Sequence, residues 1–389
     1  MRVAIFSGGI VTPTFIQRLI NGLSESNTEI VIFGNENGSV PNYHKQVTLY
    51  PNPKGVKGHL FFVFRFIKAI FVCFNRVKQY AAYQKNWPWS SVDAWKTWQR
   101  HLPVILYLPN VFHLQWALGT EYWIFLKKLY GVKFVVSLRG AHINYSPLFD
   151  PKLKIAYQQS FPLVDAFHAV SKAIGKETCL YGATANQINV IYSGLNLSDF
   201  SFTPPKGINK NACIKIISVG RPHWKKGYRY ALDAVKALID KGYNIQYTIV
   251  GGLSTEQWHQ RHQLKLINTV QVINRLPFHE VKEHITASDI LLLPSVEEGI
   301  ANVVLEAMAL GTLVVSSNCG GMEEVVRDGE TGFVFPLRDV NAMVACLEKA
   351  IALPEDARIT ISHEARRLIE KQHTLPNLIQ SMNQLYASL

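Results

Sequence analysis

The sequence predicts an α/β protein of two doubly wound domains, each a parallel sheet covered by helices on both faces. Three observations predict it. A chain of 389 residues exceeds what one compact core holds and fits two domains of roughly 150–200 residues each. Two separate series of short apolar runs alternate with helical patterns along it. Between the two series lies a stretch without periodicity, rich in Pro, Gly, Ser and Asn.

The first series has strand-like runs at 3–6, 30–33, 104–108, 134–138, 166–170 and 188–192. The second runs through 214–219, 247–250, 270–273, 290–293, 313–316 and 332–334, with helical patterns between, such as 229–241 and 302–310. Continuous apolar runs of this length, alternating with helices, mean parallel strands buried on both faces. Two such series mean two doubly wound domains. The break at 198–212, SDFSFTPPKGINKNA, sets the expected domains at 1–198 and 199–374. The last segment, 375–389, reads as one more helix, a candidate to pack back on the first domain.

With 48% apolar and 17% charged residues, the composition supplies two cores and excludes a disordered chain. The opening MRVAIFSGGIVTPTF reads as a strand entering a glycine turn, so no signal peptide is expected. Five dispersed cysteines, none spaced as a metal or redox pair, suit buried thiols in a reducing compartment. The expected location is therefore cytoplasmic. The charge is unevenly placed: residues 1–190 hold 20 Lys/Arg against 8 Asp/Glu, and residues 191–389 hold 20 against 20. The whole excess of +12 lies in the first half. An anionic partner for that half is implied: nucleic acid, an anionic membrane or a phosphorylated substrate.

Residues 58–85, GHLFFVFRFIKAIFVCFNRVKQYAAYQK, follow the same theme, and no acidic residue stands between Glu36 and Asp93. At about 100° per residue, Arg65, Lys68, Asn75, Arg76 and Gln79 fall in one stripe among apolar side chains. Lys78 adds a further cation, and NWPWSSVDAWKTW (86–98) adds tryptophans. The apolar run is too interrupted to span a bilayer. A basic stripe, a wide Phe face and tryptophans predict a helix lying in the membrane interface, held by Arg65, Lys68, Arg76 and Lys78. The alternative is a core helix whose basic edge faces solvent.

The chemistry-bearing motifs lie in the second half. In SVEEGIANVVLEAMALG (295–311), Glu298 sits in a loop after a strand and Glu306 in the second turn of a helix. Ligands of such folds bind beyond the C-terminal strand ends, where the helix also offers the amides of Ala301, Asn302 and Val303 to an anion. Taken alone, Glu306 reads sooner as a surface glutamate and Glu298 as a helix cap. In SVGRPHWKKGYRYALDAV (218–235), Arg221 and Lys226-Gly227 fill a short turn between strand and helix. This is neither a Walker A loop nor GxGxxG, but Arg forks onto phosphate oxygens and Lys acts as a point charge. Alone, such a turn also reads as solvated surface. His259 and His262 lie in the polar WHQRHQLK stretch and read as a solvated helix face.

Together these stretches resemble the family-4 (group 1) retaining glycosyltransferases of the GT-B fold, in which two Rossmann-like domains face each other across a cleft. The resemblance is strong over 214–343, through VGR…KKG, the Glu298-x7-Glu306 spacing and AMALGTLVVSSNCGGMEEVVRDGETGFVF. It continues more weakly through SLRGAHIN (137–144), AVSKAI (169–174), VIYSGLNLSDF (190–200) and the Gly8-Gly9 loop, and it does not cover 40–100.

The resemblance implies roles. Arg221 and Lys226 would hold the diphosphate of a UDP- or GDP-sugar and stabilise the leaving nucleotide. Glu306 would bind the ribose, and Glu298 would face the hexose, near the Ile300, Ala301, Asn302 and Val303 backbone. Gly8 and Gly9 would let the first domain approach the ligands. Where the family often has His-Gly followed by Asp two residues later, this chain has Arg139, Gly140, Ala141 and His142, so Arg139 or His142 would replace a sugar contact. Arg275, in a loop after a strand, is a candidate for the base.

The reaction implied retains the anomeric configuration and calls for neither a metal nor another cofactor. The acceptor implied is a saccharide or lipid-linked glycan for a surface polysaccharide or lipopolysaccharide. It would be met on the inner face of the plasma membrane, with no nucleic acid involved. Domain closure on the ligands is expected. A sugar-nucleotide epimerase or phosphorylase of the same fold, or a non-enzymatic membrane-binding protein, is the alternative. A Rossmann dehydrogenase is disfavoured by the lack of GxGxxG.

Overall fold

The structure, a computed structural model, describes residues 1–26, 28–85, 91–209 and 212–389. Trp87 and Trp89 of the aromatic segment, and Lys210 and Asn211 of the expected domain break, lie outside the described residues. The chain divides into two compact units. One comprises Met1–Val170, Gly175–Ile191 and Leu378–Leu389; the other comprises Ser171–Ile174 and Tyr192–Asn377.

The first unit is built on seven parallel strands. They are β1 (Arg2–Phe6), β2 (Glu29–Asn35), β3 (Thr48–Asn52), β4 (Val111–Leu114), β5 (Lys133–Leu138), β6 (Ala166–Ala169) and β7 (Ile188–Val190). Their order is β3-β2-β1-β4-β5-β6-β7. Two differences from the sequence expectation stand out. Residues 104–106 end the helix Ser91–Leu106, and the strand expected there is β4, a few residues later. Leu102, Val104, Ile105 and Leu106 are all buried, so the apolar run is a helix face, and runs of that length do not distinguish the two. The other difference is β3, whose Pro51 disguises it. Proline is tolerated there because β3 pairs only with β2 and lies at the sheet edge.

The second unit has six parallel strands: β8 (Ile214–Val219), β9 (Ile245–Val250), β10 (Val270–Ile273), β11 (Ile290–Leu293), β12 (Leu313–Ser317) and β13 (Phe333–Phe335). Their order is β10-β9-β8-β11-β12-β13. Side chains alternate between two cores. Ile214, Ile216, Ile290 and Leu292 join one, and Ile217, Leu291, Leu293 and Val314 join the other. Burial on both faces is why these strands read as unbroken apolar runs.

In each unit the strand order reverses once, between β1 and β4 and between β8 and β11. The C-terminal ends of strands at such a reversal open a ligand crevice. Gly8-Gly9 follows β1, and the Arg221–Lys226 turn follows β8. The Glu298 loop follows β11.

A buried polar chain ties the C-terminal helix Leu375–Ala387 into the first unit. His168 Nε2 lies 3.0 Å from the Ile191 carbonyl and must donate to it. His168 Nδ1 therefore accepts from Ser137 Oγ at 2.8 Å. Ser137 Oγ then accepts from His113 Nε2 at 2.7 Å, and His113 Nδ1 accepts from the Tyr386 hydroxyl at 2.6 Å. One carbonyl thus sets every proton. Burial lowers the pKa of His113 well below its ordinary value and that of His168 to about 3, aided by Arg139. Both rings stay neutral at neutral pH.

Candidate functional site

The turn after β8 is built by glycine and closed by an ion pair. Gly227 caps the helix Tyr228–Asp240 with φ 65°, and a Cβ there would sit 1.8 Å from the Pro294 carbonyl oxygen. Only glycine lets the turn reach the end of β11. There Lys226 Nζ donates to Glu298 Oε1 at 2.6 Å, with both side chains mostly shielded, and Lys225 Nζ lies 3.9 Å from Glu298 Oε2. Ser295 Oγ donates to the same Oε1 at 3.1 Å. From behind, Gly320 (φ 52°) supports the loop, because a Cβ there would lie 1.8 Å from the Glu298 carbonyl oxygen.

His223 Nδ1 accepts from the Lys225 amide at 3.3 Å, fixing the start of the turn. Burial, then the cations Lys225, Arg221 and Lys226, lower its pKa, so the ring is neutral and its Nδ1 can accept. Lys225, His223 and Ser295 were missed by sequence reasoning. The KKG doublet and the Ser three residues before Glu298 were the available signals.

The remaining second-unit candidates are placed as follows. Arg221 is exposed at the start of the turn. Glu306 is half-buried in the second turn of the helix Asn302–Leu310. Ile300, Ala301 and Val303 are buried. The Ala301 amide is already directed at Met322 Sδ, 3.4 Å away. The helix's anion-facing donors reduce to the amides of Asn302 and Val303, because those of Val304 and Leu305 point back to the Ala301 carbonyl. Arg275 is exposed after β10, at the edge of the sheet, two strands from the reversal.

In the first unit, Gly8 takes φ 96° in the loop after β1, and Asn37 clamps that loop through both the amide and the carbonyl of Val11. Arg139 follows β5. Its guanidinium donates to Gln115 Oε1 at 2.9 Å and lies 4.8 Å from the centre of the Phe15 ring. Its buried Nε has no acceptor among the described residues. Burial brings its pKa down to about 10, which leaves it a cation at neutral pH held by neutral groups. His142 lies in the one-turn helix Ala141–Asn144, its ring edge-on to Trp116 at 6.0 Å.

A helix stands at the expected place, Gly55–Gln84, but its basic stripe lies against the first unit and not on the outside. Arg65 is 8% exposed. Its two terminal nitrogens donate to Asn52 Oδ1 and the Pro51 carbonyl, each at 2.8 Å. Lys68 Nζ donates to the Tyr107 hydroxyl at 3.2 Å, and Arg76 reaches the Ile105 carbonyl at 3.4 Å.

The buried face is Arg65, Ala69, Cys73, Val77 and Tyr80, whereas Phe71 is 85% exposed and Phe64 68%. Leu60, Val63, Ile67, Val72 and Phe74 are exposed with them. Neutral acceptors on β3 and on the helix Ser91–Leu106 draw the cations inward, and the large apolar side chains are left outside. A kink at Cys73 (φ −146°, ψ 43°) shifts the helical phase, so Asn75 and Gln79 leave the stripe and are exposed, as is Lys78. Among the described residues, no helix is long and apolar enough to cross a membrane.

Residues 202–367 match the family model for glycosyl transferases group 1. The chain is 31% identical over 225 residues to WcaL of Escherichia coli K12, a protein assigned to colanic acid biosynthesis as a glycosyltransferase. That match covers 55% of this chain and 54% of the relative. It is 30% identical over 235 residues to the amylovoran biosynthesis glycosyltransferase AmsK of Erwinia amylovora, covering 57% of this chain and 56% of AmsK. The chain thus spans little more than half the length of these relatives.

Over whole chains, the fold is similar to that of HepE of Anabaena, crystallised with UDP and glucose. The TM-score is 0.72 at 16% identity, covering 100% of both chains. Sucrose-phosphate synthase of Thermosynechococcus elongatus gives a TM-score of 0.75 at 16% identity, covering 100% of this chain and 98% of that one. By the sequence of its second unit the chain is similar to the group 1 glycosyltransferases, and its two-sheet α/β architecture is the GT-B fold.

Proposed function

We propose that the protein is a retaining glycosyltransferase of surface polysaccharide synthesis. It moves a hexose-type sugar from a UDP- or GDP-sugar to a lipid-linked saccharide. The observation that carries this reading is the Lys226–Glu298 pair at the strand reversal of the second unit, with Lys225 beside it and Arg221 in the same turn. A cationic turn facing one carboxylate suits a ligand with a diphosphate at one end and hydroxyls at the other. Arg221 and Lys226 take the diphosphate, and Glu298 takes sugar hydroxyls while holding Lys226 in place. Glu306 and the Asn302 and Val303 amides complete the donor contacts. Support for the pathway comes from relatives named for colanic acid and amylovoran synthesis.

In the transfer, the acceptor oxygen bonds to the anomeric carbon as the bond from that carbon to the diphosphate oxygen breaks. The acceptor's proton passes to the departing phosphate on the same face. Charge grows on the leaving diphosphate, and fixed cations aimed at developing charge are usually the largest catalytic term. The step uses neither a metal nor another cofactor. Retention is tested by proton NMR of the first product: an anomeric coupling matching the donor's supports the reading, and an inverted one contradicts it.

The reading extends to the membrane. The exposed apolar face of the helix Gly55–Gln84 rests in the interface and brings the first unit to a lipid-borne acceptor. Vesicle co-sedimentation tests this part, because a chain that stays in the supernatant at every lipid concentration rules it out.

A further inference from the structure

We infer that the pocket walled by Lys54, His59, Arg65, Lys96 and Arg100 binds the phosphate or diphosphate group that carries the acceptor's lipid. The inference rests on the transfer reading above for the word acceptor, and on the first unit alone for the anion. The pocket encloses about 280 Å³ where β2 and β3 end, between the start of the helix Gly55–Gln84 and the helix Ser91–Leu106. That volume has room for a diphosphate together with water.

The lining is cationic without compensation. It contains no Asp or Glu, and among the described residues none of Lys54, Arg65, Lys96 and Arg100 is ion-paired. Glu36, the neighbouring carboxylate in sequence, pairs with Lys57 at 3.6 Å. Arg65 is the informative member. Its guanidinium is buried, oriented by Asn52 and Pro51, and its partners there are neutral oxygens. Burying a charge beside neutral partners alone is costly, and an anion arriving in the pocket relieves that cost. The first turn of the helix Gly55–Gln84 adds amides without intrahelical acceptors, and Lys54 stands at its cap.

The pocket also has an apolar exit. Phe61 and Phe62 line it, and on the same helix Leu60, Val63, Phe64 and Ile67 continue outward as exposed surface. A charged head in the pocket and a hydrocarbon tail along the helix is the outline of a lipid phosphate. The surrounding charge agrees with it: residues 37–92 hold eight Lys/Arg and no Asp/Glu.

The test is calorimetric titration of the full chain, in saturating UDP, with octyl diphosphate and with inorganic pyrophosphate. Wild type is compared with the double variant Lys96→Glu, Arg100→Glu, whose sites are both exposed, and with Lys96→Arg, Arg100→Lys as a charge-keeping control. The expected result is octyl diphosphate binding that weakens at least tenfold in the charge-reversed variant and is retained in the control. Pyrophosphate should bind more weakly than octyl diphosphate. Equal affinity in wild type and the reversed variant, or no binding by wild type, overturns the site.

Pyrophosphate binding as tightly as octyl diphosphate overturns the lipid-borne assignment in favour of a free anion. Competition by phosphatidylglycerol vesicles through the same two residues overturns it in favour of a bilayer headgroup. A chain that shows the tenfold loss but no response to any nucleotide sinks the transfer reading and leaves the pocket standing.

Discussion

The turn after β8 and the helix Gly55–Gln84 are both rich in cations and use them in opposite ways. In the turn, Lys225 and Lys226 stand at a strand end and face the carboxylate of Glu298. In the helix, Arg65, Lys68 and Arg76 point inward to carbonyl, amide and hydroxyl oxygens, and phenylalanines point out. A helical stripe tells which side chains share a face, not which face is inside. Hydrophobicity normally decides that question. Here the neutral acceptors of an edge strand and a helix end outweigh it.

Substitutions in the turn should cost the most. Lys226→Met and Glu298→Gln are each expected to lower the transfer rate by about 10²–10³-fold, the usual cost of losing one preorganised contact to developing charge. Glu298→Gln keeps the side chain's shape, so its melting temperature separates a rate effect from a folding one. A loss under tenfold in both variants would remove the turn from the chemistry.

Next in size is the helix. Replacing Phe64, Phe71 and Phe74 with Ser is expected to lower vesicle binding at least tenfold in co-sedimentation, since burying each ring in an apolar phase is worth about 1.5–3 kcal/mol. Their exposure means the melting temperature should stay near that of wild type. Arg65→Glu should do the reverse, unfolding the chain earlier, because Asn52 and the Pro51 carbonyl lose their donors at about 1–3 kcal/mol each. Reversing Arg65, Lys68 and Arg76 together therefore reports on folding rather than on lipid. Vesicle binding that survives the triple Ser variant would show the apolar face to be mere surface.

A smaller effect concerns pH, and it involves both units. Burial lowers the pKa of His168 to about 3 and that of His373 to about 4, and both are neutral when folded. An unfolded His titrates near 6.5. The sign follows: their contribution is complete above about pH 6.5 and is lost as pH falls toward 4 and 3, by at most ~1.4 kcal/mol per pH unit per group. Urea midpoints should fall over that range, and His373→Gln should flatten the slope. The smallest expected effect is Tyr386→Phe, about 1 kcal/mol for one buried hydrogen bond, read in the same urea titration.

Much of the fold was legible because parallel strands buried on both faces leave unbroken apolar runs, as in Ile290–Leu293 and Leu313–Ser317. The edge strand β3 escaped notice because Pro51 hid it. The run at 104–106 misled because a buried helix face and a buried strand look alike over so few residues. In the site, the placing of Glu298 and Lys226 beyond strand ends was legible from the pattern of strand, turn and helix, and their roles followed only from the family resemblance. Lys225, His223 and Ser295 were not legible, since their roles depend on where Gly227 lets the turn lie against Pro294. The buried chain from Tyr386 to Ile191 crosses most of the sequence and leaves no local pattern at all.

The turn after β8, and not the basic helix, is expected to hold the nucleotide. Thermal unfolding in the presence of UDP, GDP, ADP and their sugars tests it most directly on four proteins: wild type, Glu306→Ala, Lys226→Met and the Phe64, Phe71, Phe74→Ser variant. One nucleotide series is expected to raise the melting temperature of wild type and of the helix variant but to leave the other two unchanged. No shift with any nucleotide, or an equal shift in all four proteins, would contradict it.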